Sequence, residues 1–153
     1  MFTIRFVFAV ALVANSALAW SAPPTQPRNA TASEKLSAVD QQAIEKVIRD
    51  QLDAFGHDDA MRAFSHASPD IQRMFGTPDR FMRMVRENYE AVYRPGSIRF
   101  VRLERVDARW VETVQIVDDE GNVWRALFTM TRQPDKIWKI GGCQLVATNA
   151  ITT

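Results

Sequence analysis

From residue 37 to residue 55, the stretch SAVDQQAIEKVIRDQLDAF sets Val39, Ile44, Val47, Ile48, Leu52 and Phe55 mostly three or four positions apart. That spacing predicts a helix with one apolar stripe. Gly56 follows at the place where helices commonly close in a left-handed residue, and Asp58 or Asp59 then stands as the N-cap of AMRAF. Ser68 and Pro69 open a short helix, PDIQRMF, that Gly76 ends. Thr77 and Pro78 repeat the start for PDRFMRMVRENYEAVY, with Phe81, Met84, Val85 and Tyr89 on one stripe. Met82 and Met84 are read as core residues.

Beyond RPGS the period changes to two. Segments near 97–105, 109–118, 122–132 and 137–147 are rich in Val, Ile, Thr, Trp and Phe and are separated by RVDA, DDEGN and QPDK. Connections this short predict an antiparallel meander of four strands or slightly more. In DDEGN, a type I turn with Gly121 left-handed pairs Asp118 with Asn122. Counting outward puts Trp110, Glu112, Val114 and Ile116 on a face with Trp124, Ala126, Phe128 and Met130. A three-residue loop of Pro134, Asp135 and Lys136 adds Trp138, Ile140, Gly142, Gln144 and Val146 to it. Lys136 is the least suited residue in that loop, where Gly or Asn would be expected. The opposite face holds Val111, Thr113, Gln115, Arg125, Leu127, Thr129, Lys139, Cys143 and Leu145. The fold class is therefore α+β: N-terminal helices covering one face of a curved antiparallel sheet.

The ends of the chain alter the organisation. Arg5, an apolar run from Phe6 to Ala14 and the tripeptide Ala17, Leu18, Ala19 have the order of a secretory signal peptide over residues 1–19, with cleavage as far on as Ala22. Export to the periplasm or beyond is expected, with no membrane span after cleavage. Residues 20–35 read as a Pro- and Ser-containing tether, 36–148 as one domain, and 149–153 as a tail. Loss of Arg5 with the leader leaves 18 basic and 18 acidic residues, so nothing points to nucleic acid. Cys143 is the only cysteine, which excludes an internal disulfide. The arginines from Arg80 to Arg109 are interleaved with Glu87, Glu90, Glu104 and Asp107, the pattern of a solvated surface or of an anionic contact.

Candidate chemistry is sparse. His57 and His66 lie nine residues apart, without the three- or four-residue spacing of helical zinc ligands, so no metal site is expected. No cofactor motif is present; the GG at 141–142 follows a strand without opening a helix and is read as a bend. Glu112 is the one ionisable residue in an apolar row, where desolvation would raise its pKa towards that of a general base; it is equally suited to pairing with an arginine. His66 is the other titratable side chain a pocket could use. Cys143 lacks an adjacent histidine and is read as a packed thiol.

The strings QLDAF, DDAMRAFSHASPDIQRMFGTPDRFMRMV, VYRPGS and RQPDKIWKIGGCQLV, spread over roughly residues 44–147, together resemble the bacterial family labelled domain of unknown function 4864. The order of helices then meander is similar to the nuclear transport factor 2-like, or cystatin-like cone, superfamily. The resemblance implies a cone-shaped fold and transfers no catalytic residues. Enzymes of that superfamily carry polar side chains inside the cone. On this chain the inward candidates are Glu112 and Gln144, with His66, Tyr89 and Tyr93 from the helices. The expected pocket is lined by Trp110, Glu112, Val114, Phe128, Met130, Trp138, Gln144 and Tyr89. It would hold a small apolar ligand, or the cone would dock a protein partner, without catalysis. The alternative is an isomerase, dehydratase or hydrolase using Glu112 or His66 as base. The mixed outer sheet face is suited to a homodimer.

Overall fold

The computed structural model describes residues 36–148. The expected leader, tether and tail, at 1–19, 20–35 and 149–153, lie outside these residues. Among the described residues five helices come first: α1 (Ala38–Gly56), α2 (Ala60–Ser65), α3 (Pro69–Phe75), α4 (Pro78–Asn88) and α5 (Glu90–Tyr93). Four strands follow: β1 (Ser97–Val106), β2 (Arg109–Val117), β3 (Val123–Arg132) and β4 (Trp138–Ala147), in an antiparallel sheet ordered as in sequence. The class is α+β. No described helix is long and apolar enough to cross a membrane.

The helix starts follow from side-chain oxygens that satisfy exposed N–H groups of the first turn. Ser37, Asp59, Ser68 and Thr77 accept from the backbone N–H of Asp40, Arg62, Ile71 and Arg80. Pro69 and Pro78 stand in first turns, where a missing N–H costs nothing. Two details differ from the sequence expectation. The left-handed residue after α1 is Asp58 (φ 57°), not Gly56, because α1 runs one residue further and closes on His57. The helix expected from 78 to 93 breaks at Tyr89 (φ −134°, ψ 49°) into α4 and α5. Asn88 contributes to the break by donating from its side chain to the Met84 carbonyl at 3.0 Å.

Ile44, Ile48, Leu52 and Phe55 of α1 are buried together with Val114, Ile116, Ala126, Phe128, Met130 and Ile140 of the sheet. Each of these side chains except Ala126 contributes roughly 1.5–3 kcal/mol on leaving water. Trp138 locks the last strand to the first helix, its indole N–H donating to Asp40 Oδ1 at 3.0 Å. Ala67 bridges to Ile140, which fixes the α2–α3 connection on the edge of β4. Asp58, at its strained φ, accepts from the Tyr93 hydroxyl and from Arg86 and Arg94 (3.1 and 3.3 Å), and so holds α5 against the end of α1.

The turn chemistry fixes most of the register. Gly121 has φ 84°, its N–H donates to the Asp118 carbonyl at 3.0 Å, and Asp118 N–H donates to Asn122 at 3.0 Å. Trp110, Glu112, Val114 and Ile116 consequently pair with Met130, Phe128, Ala126 and Trp124. Lys136 adopts the left-handed conformation its loop demands (φ 68°). The second half of β4 is a correction. A bulge next to Gly141 shifts the register between Thr129 and Met130. Beyond it Cys143 and Leu145, expected outside, pair with Phe128 and Ala126 on the inner face. Gly142, Gln144 and Val146 change to the outer parity, and Gln144 and Val146 are exposed there. A Cβ on Gly141 would stand 2.9 Å from Thr131 Cγ2, so the close approach at the bulge depends on glycine.

Candidate functional site

The inner face of the sheet is divided. Under α3 and α4 it opens into an apolar cavity of about 220 Å³. Phe55 and Gln51 of α1, Ala67, and Phe128, Ile140 and Cys143 of the sheet form its floor and walls. Ile71, Met74 and Phe75 of α3 and Phe81, Met84, Val85 and Tyr89 form its cover. Phe81 is the centre of an aromatic group, with the rings of Phe55, Phe64 and Phe75 at 5.9, 5.6 and 5.4 Å. The cover is thin: α3 contains no buried residue, and Met74 is 72 % exposed.

The polar groups at this wall are few. Gln51 is buried and spends its side-chain N–H on the Ala63 carbonyl at 3.0 Å, which ties α1 to α2. Cys143 is desolvated, and burial pushes its thiol up to about 12, so it is a neutral S–H at physiological pH. Tyr89 is half-buried at the wall and contributes a ring and a hydroxyl. None of the lining residues is an acid or a base that titrates near neutrality.

Glu112 lies elsewhere. It is 2 % exposed, faces inward from β2 and is absent from the cavity wall. Burial first, and the nearby charge of Glu45 on α1 second, push its carboxyl up to about 7; a hydrogen bond from the Arg102 backbone N–H acts the other way. The irregularity between Phe100 and Arg102 in β1 sits beside this N–H. The expected pairing with an arginine side chain is not made: Glu112 meets a backbone donor and a second carboxylate.

Of the residues expected to line a pocket, Phe128 and Tyr89 do so. Val114, Met130 and Trp138 are buried in the core outside the cavity, Trp110 is half-buried near the β1–β2 turn, and Gln144 is on the outer face. His66 caps α2, and its carbonyl accepts from Ile140 N–H at 2.9 Å; desolvation lowers its pKa despite the charge of Asp50, leaving a neutral ring. His57 is exposed beside Asp53. Among the described residues no group of acids, histidines and cysteine could hold a metal ion. Sequence reasoning missed Phe55, Ala67, Ile71, Phe75, Phe81 and Cys143 as wall residues. The signal available was the i, i+3, i+4 stripe Ile71, Met74, Phe75 on a helix otherwise polar.

A family model described as a domain of unknown function, DUF4864, matches residues 37–153. No curated protein and no solved structure matches the chain.

Proposed function

The chain belongs to the DUF4864 family, whose function carries no assignment, and from that premise we propose that the domain binds a small, uncharged, apolar molecule in the cavity beneath α3 and α4. The observation that carries this reading is the wall itself, aromatic and aliphatic with a protonated thiol and no titrating acid or base. A cavity of 150 Å³ lined by Leu, Ile and Phe is large enough for benzene, so about 220 Å³ suits a ligand on the order of nine non-hydrogen atoms. Such a ligand gains by leaving water and by filling a void whose lining otherwise lacks contacts. The thin α3 cover supplies a route of entry. Binding is favoured over acid–base catalysis because Glu112 and His66, the two groups that would supply a proton acceptor, are absent from the wall. The order of helices then meander supports a place in the nuclear transport factor 2-like superfamily, where this concave face is the usual binding surface. The leader-like residues 1–19 support a site of action outside the cytoplasm.

The test uses indole and 1-octanol as probes against the mature domain, with thermal unfolding and calorimetric titration as readouts. Saturable binding is expected, with a gain of ~2.7 kcal/mol at a probe concentration 100 times Kd. Cys143→Phe, which places a ring in the cavity, is expected to abolish the effect while circular dichroism stays native. Indole and octanol that leave the unfolding temperature unchanged, or bind equally to Cys143→Phe, would remove the proposal.

A further inference from the structure

The outer face of the sheet has a composition unlike the rest of the chain. The register sets Arg99, Gln115, Arg125 and Val146 in one row across the four strands, Arg102, Thr113, Leu127 and Gln144 in the next, and Glu104, Val111 and Thr129 in a third. Arg109 and Lys139 share this parity at the far end. Five cations therefore share the face with two carboxylates, Glu104 and, at the β1–β2 turn beside Arg109, Val111 and Thr129, Asp107, in a protein whose 19 basic and 18 acidic residues nearly balance. Arg102 pairs with Glu104 at 2.8 Å, Arg99 donates to Gln115 Oε1 at 2.7 Å, and Lys139 reaches the Ser65 carbonyl at 2.6 Å. Arg109 and Arg125 are exposed and have no ion-pair partner among the described residues.

Between these cations lies an apolar floor. Val111 and Leu127 are half-buried and Thr113 is only 6 % exposed, while the helices contribute their buried residues to the other face. Strands of nine or ten residues at ~3.3 Å each, four abreast at ~4.8 Å, present on the order of 600 Å². That approaches the ~800 Å² each partner contributes to a stable complex, and an apolar centre with an arginine rim is the usual anatomy of such a surface.

The charge decides the occupant. A second copy docked through the same face about a two-fold axis would bring cations against cations, which argues against the homodimer expected from the sequence. An anionic membrane would satisfy the charge, but the face carries no Trp, Tyr or Phe to seat at a lipid interface. We propose that this face docks a partner protein through an acidic segment, with carboxylates over Arg99, Arg109 and Arg125 and one or two aliphatic side chains on Val111 and Leu127. The inference is independent of the cavity.

A phage-displayed library of random peptides, selected on the immobilised domain at low ionic strength, tests it. The selected peptides are expected to be rich in Asp and Glu with aliphatic residues between them. The best of them, synthesised, should bind about tenfold or more weakly to Arg109→Glu/Arg125→Glu, whose unfolding temperature is checked to be native. Cys143→Phe should bind it as the wild type does, which separates this proposal from the cavity reading. Peptides without acidic enrichment, or equal binding by the charge-reversed variant, would overturn it. So would a dimer in sedimentation that the reversal abolishes, or adsorption to phosphatidylglycerol vesicles through the same arginines in place of peptide binding.

Discussion

Two desolvated titratable groups lie on either side of one ring. Phe128 pairs with Glu112 on β2 and with Cys143 on β4, so carboxyl, phenyl and thiol occupy one row of the sheet. Burial is the leading cause of both shifts, to about 7 for the acid and about 12 for the thiol. The consequences are opposite. Raising a thiol that far leaves it protonated and chemically quiet, which suits the wall of an apolar cavity. Raising a carboxyl to about 7 places its titration at neutrality, yet Glu112 is absent from the cavity wall. The same physical cause thus makes one side of Phe128 an uncharged cavity wall and the other a pH-sensitive element of the core. A perturbed pKa marks a candidate site only where there is room for a substrate.

Breaking the partition is expected to have the largest effect. Phe128→Ala removes a fully buried ring from the centre of the inner face and should cost ~3–5 kcal/mol in urea denaturation. It would also join the cavity to the Glu112 side. Probes larger than indole should then bind, and the Glu112 midpoint should fall from about 7 as solvent or ligand dipoles reach the carboxyl. An Ala variant as stable as the wild type, with unchanged probe size selection, would show that Phe128 does not divide the space.

The acid side alone is tested by Glu112→Gln. Below pH 4.5 the carboxyl is protonated in both folded and unfolded chains and costs nothing. Between 4.5 and about 7 the unfolded chain gives up the proton while the folded one retains it, so stability falls as pH rises. At about 1.4 kcal/mol for each pH unit, the accumulated cost above neutrality is ~3 kcal/mol. Glutamine keeps an acceptor for the Arg102 N–H but adds an amide needing its own partner at a cost of ~1 kcal/mol at any pH, so a net gain of ~2 kcal/mol is expected at pH 8 and a loss of ~1 kcal/mol at pH 4. Denaturation at the two pH values reads the difference directly. Indole binding should not change with this variant.

How far this partition can be read from the sequence depends on which interactions create it. The inner row Trp110, Glu112, Val114, Ile116 follows from the DDEGN turn, where Gly121 and the loop length fix the count locally. Lys136 takes its left-handed conformation against its own preference, and the QPDK loop still sets the start of β4. Past Gly141 the local rule fails, because the bulge depends on a close approach between Gly141 and Thr131 across two strands. A pair of glycines announces a bend without saying which is the extra residue. That one-residue shift exchanged Gln144 for Cys143 on the inner face and removed the amide expected in the pocket. The cavity's position is less legible still. It is set by where α1 seals the sheet and where the short α3 does not, a matter of helix placement over many residues distant in sequence. The apolar face was therefore readable, but which part of it stays open was not.

The smallest expected effect sharpens the comparison most narrowly. Glu45 on α1 is the second cause of the raised Glu112 carboxyl, and its own side chain accepts from Gln41 Nε2 at 3.3 Å on the exposed side of the helix. Glu45→Gln removes a like charge without removing an acceptor. The Glu112 midpoint should move down from about 7, since ionisation no longer occurs beside a second carboxylate. Part of the penalty above neutrality then disappears, giving a gain of ~0.5 kcal/mol at pH 8 and nothing at pH 4, where Glu112 is protonated. In the Glu112→Gln background the same substitution should give no gain at either pH, because there is no longer a charge for Glu45 to oppose. A double-mutant cycle measured at pH 8 separates the two cases, and a gain that persists without Glu112 would mean that Glu45 acts on the helix and not on the buried acid.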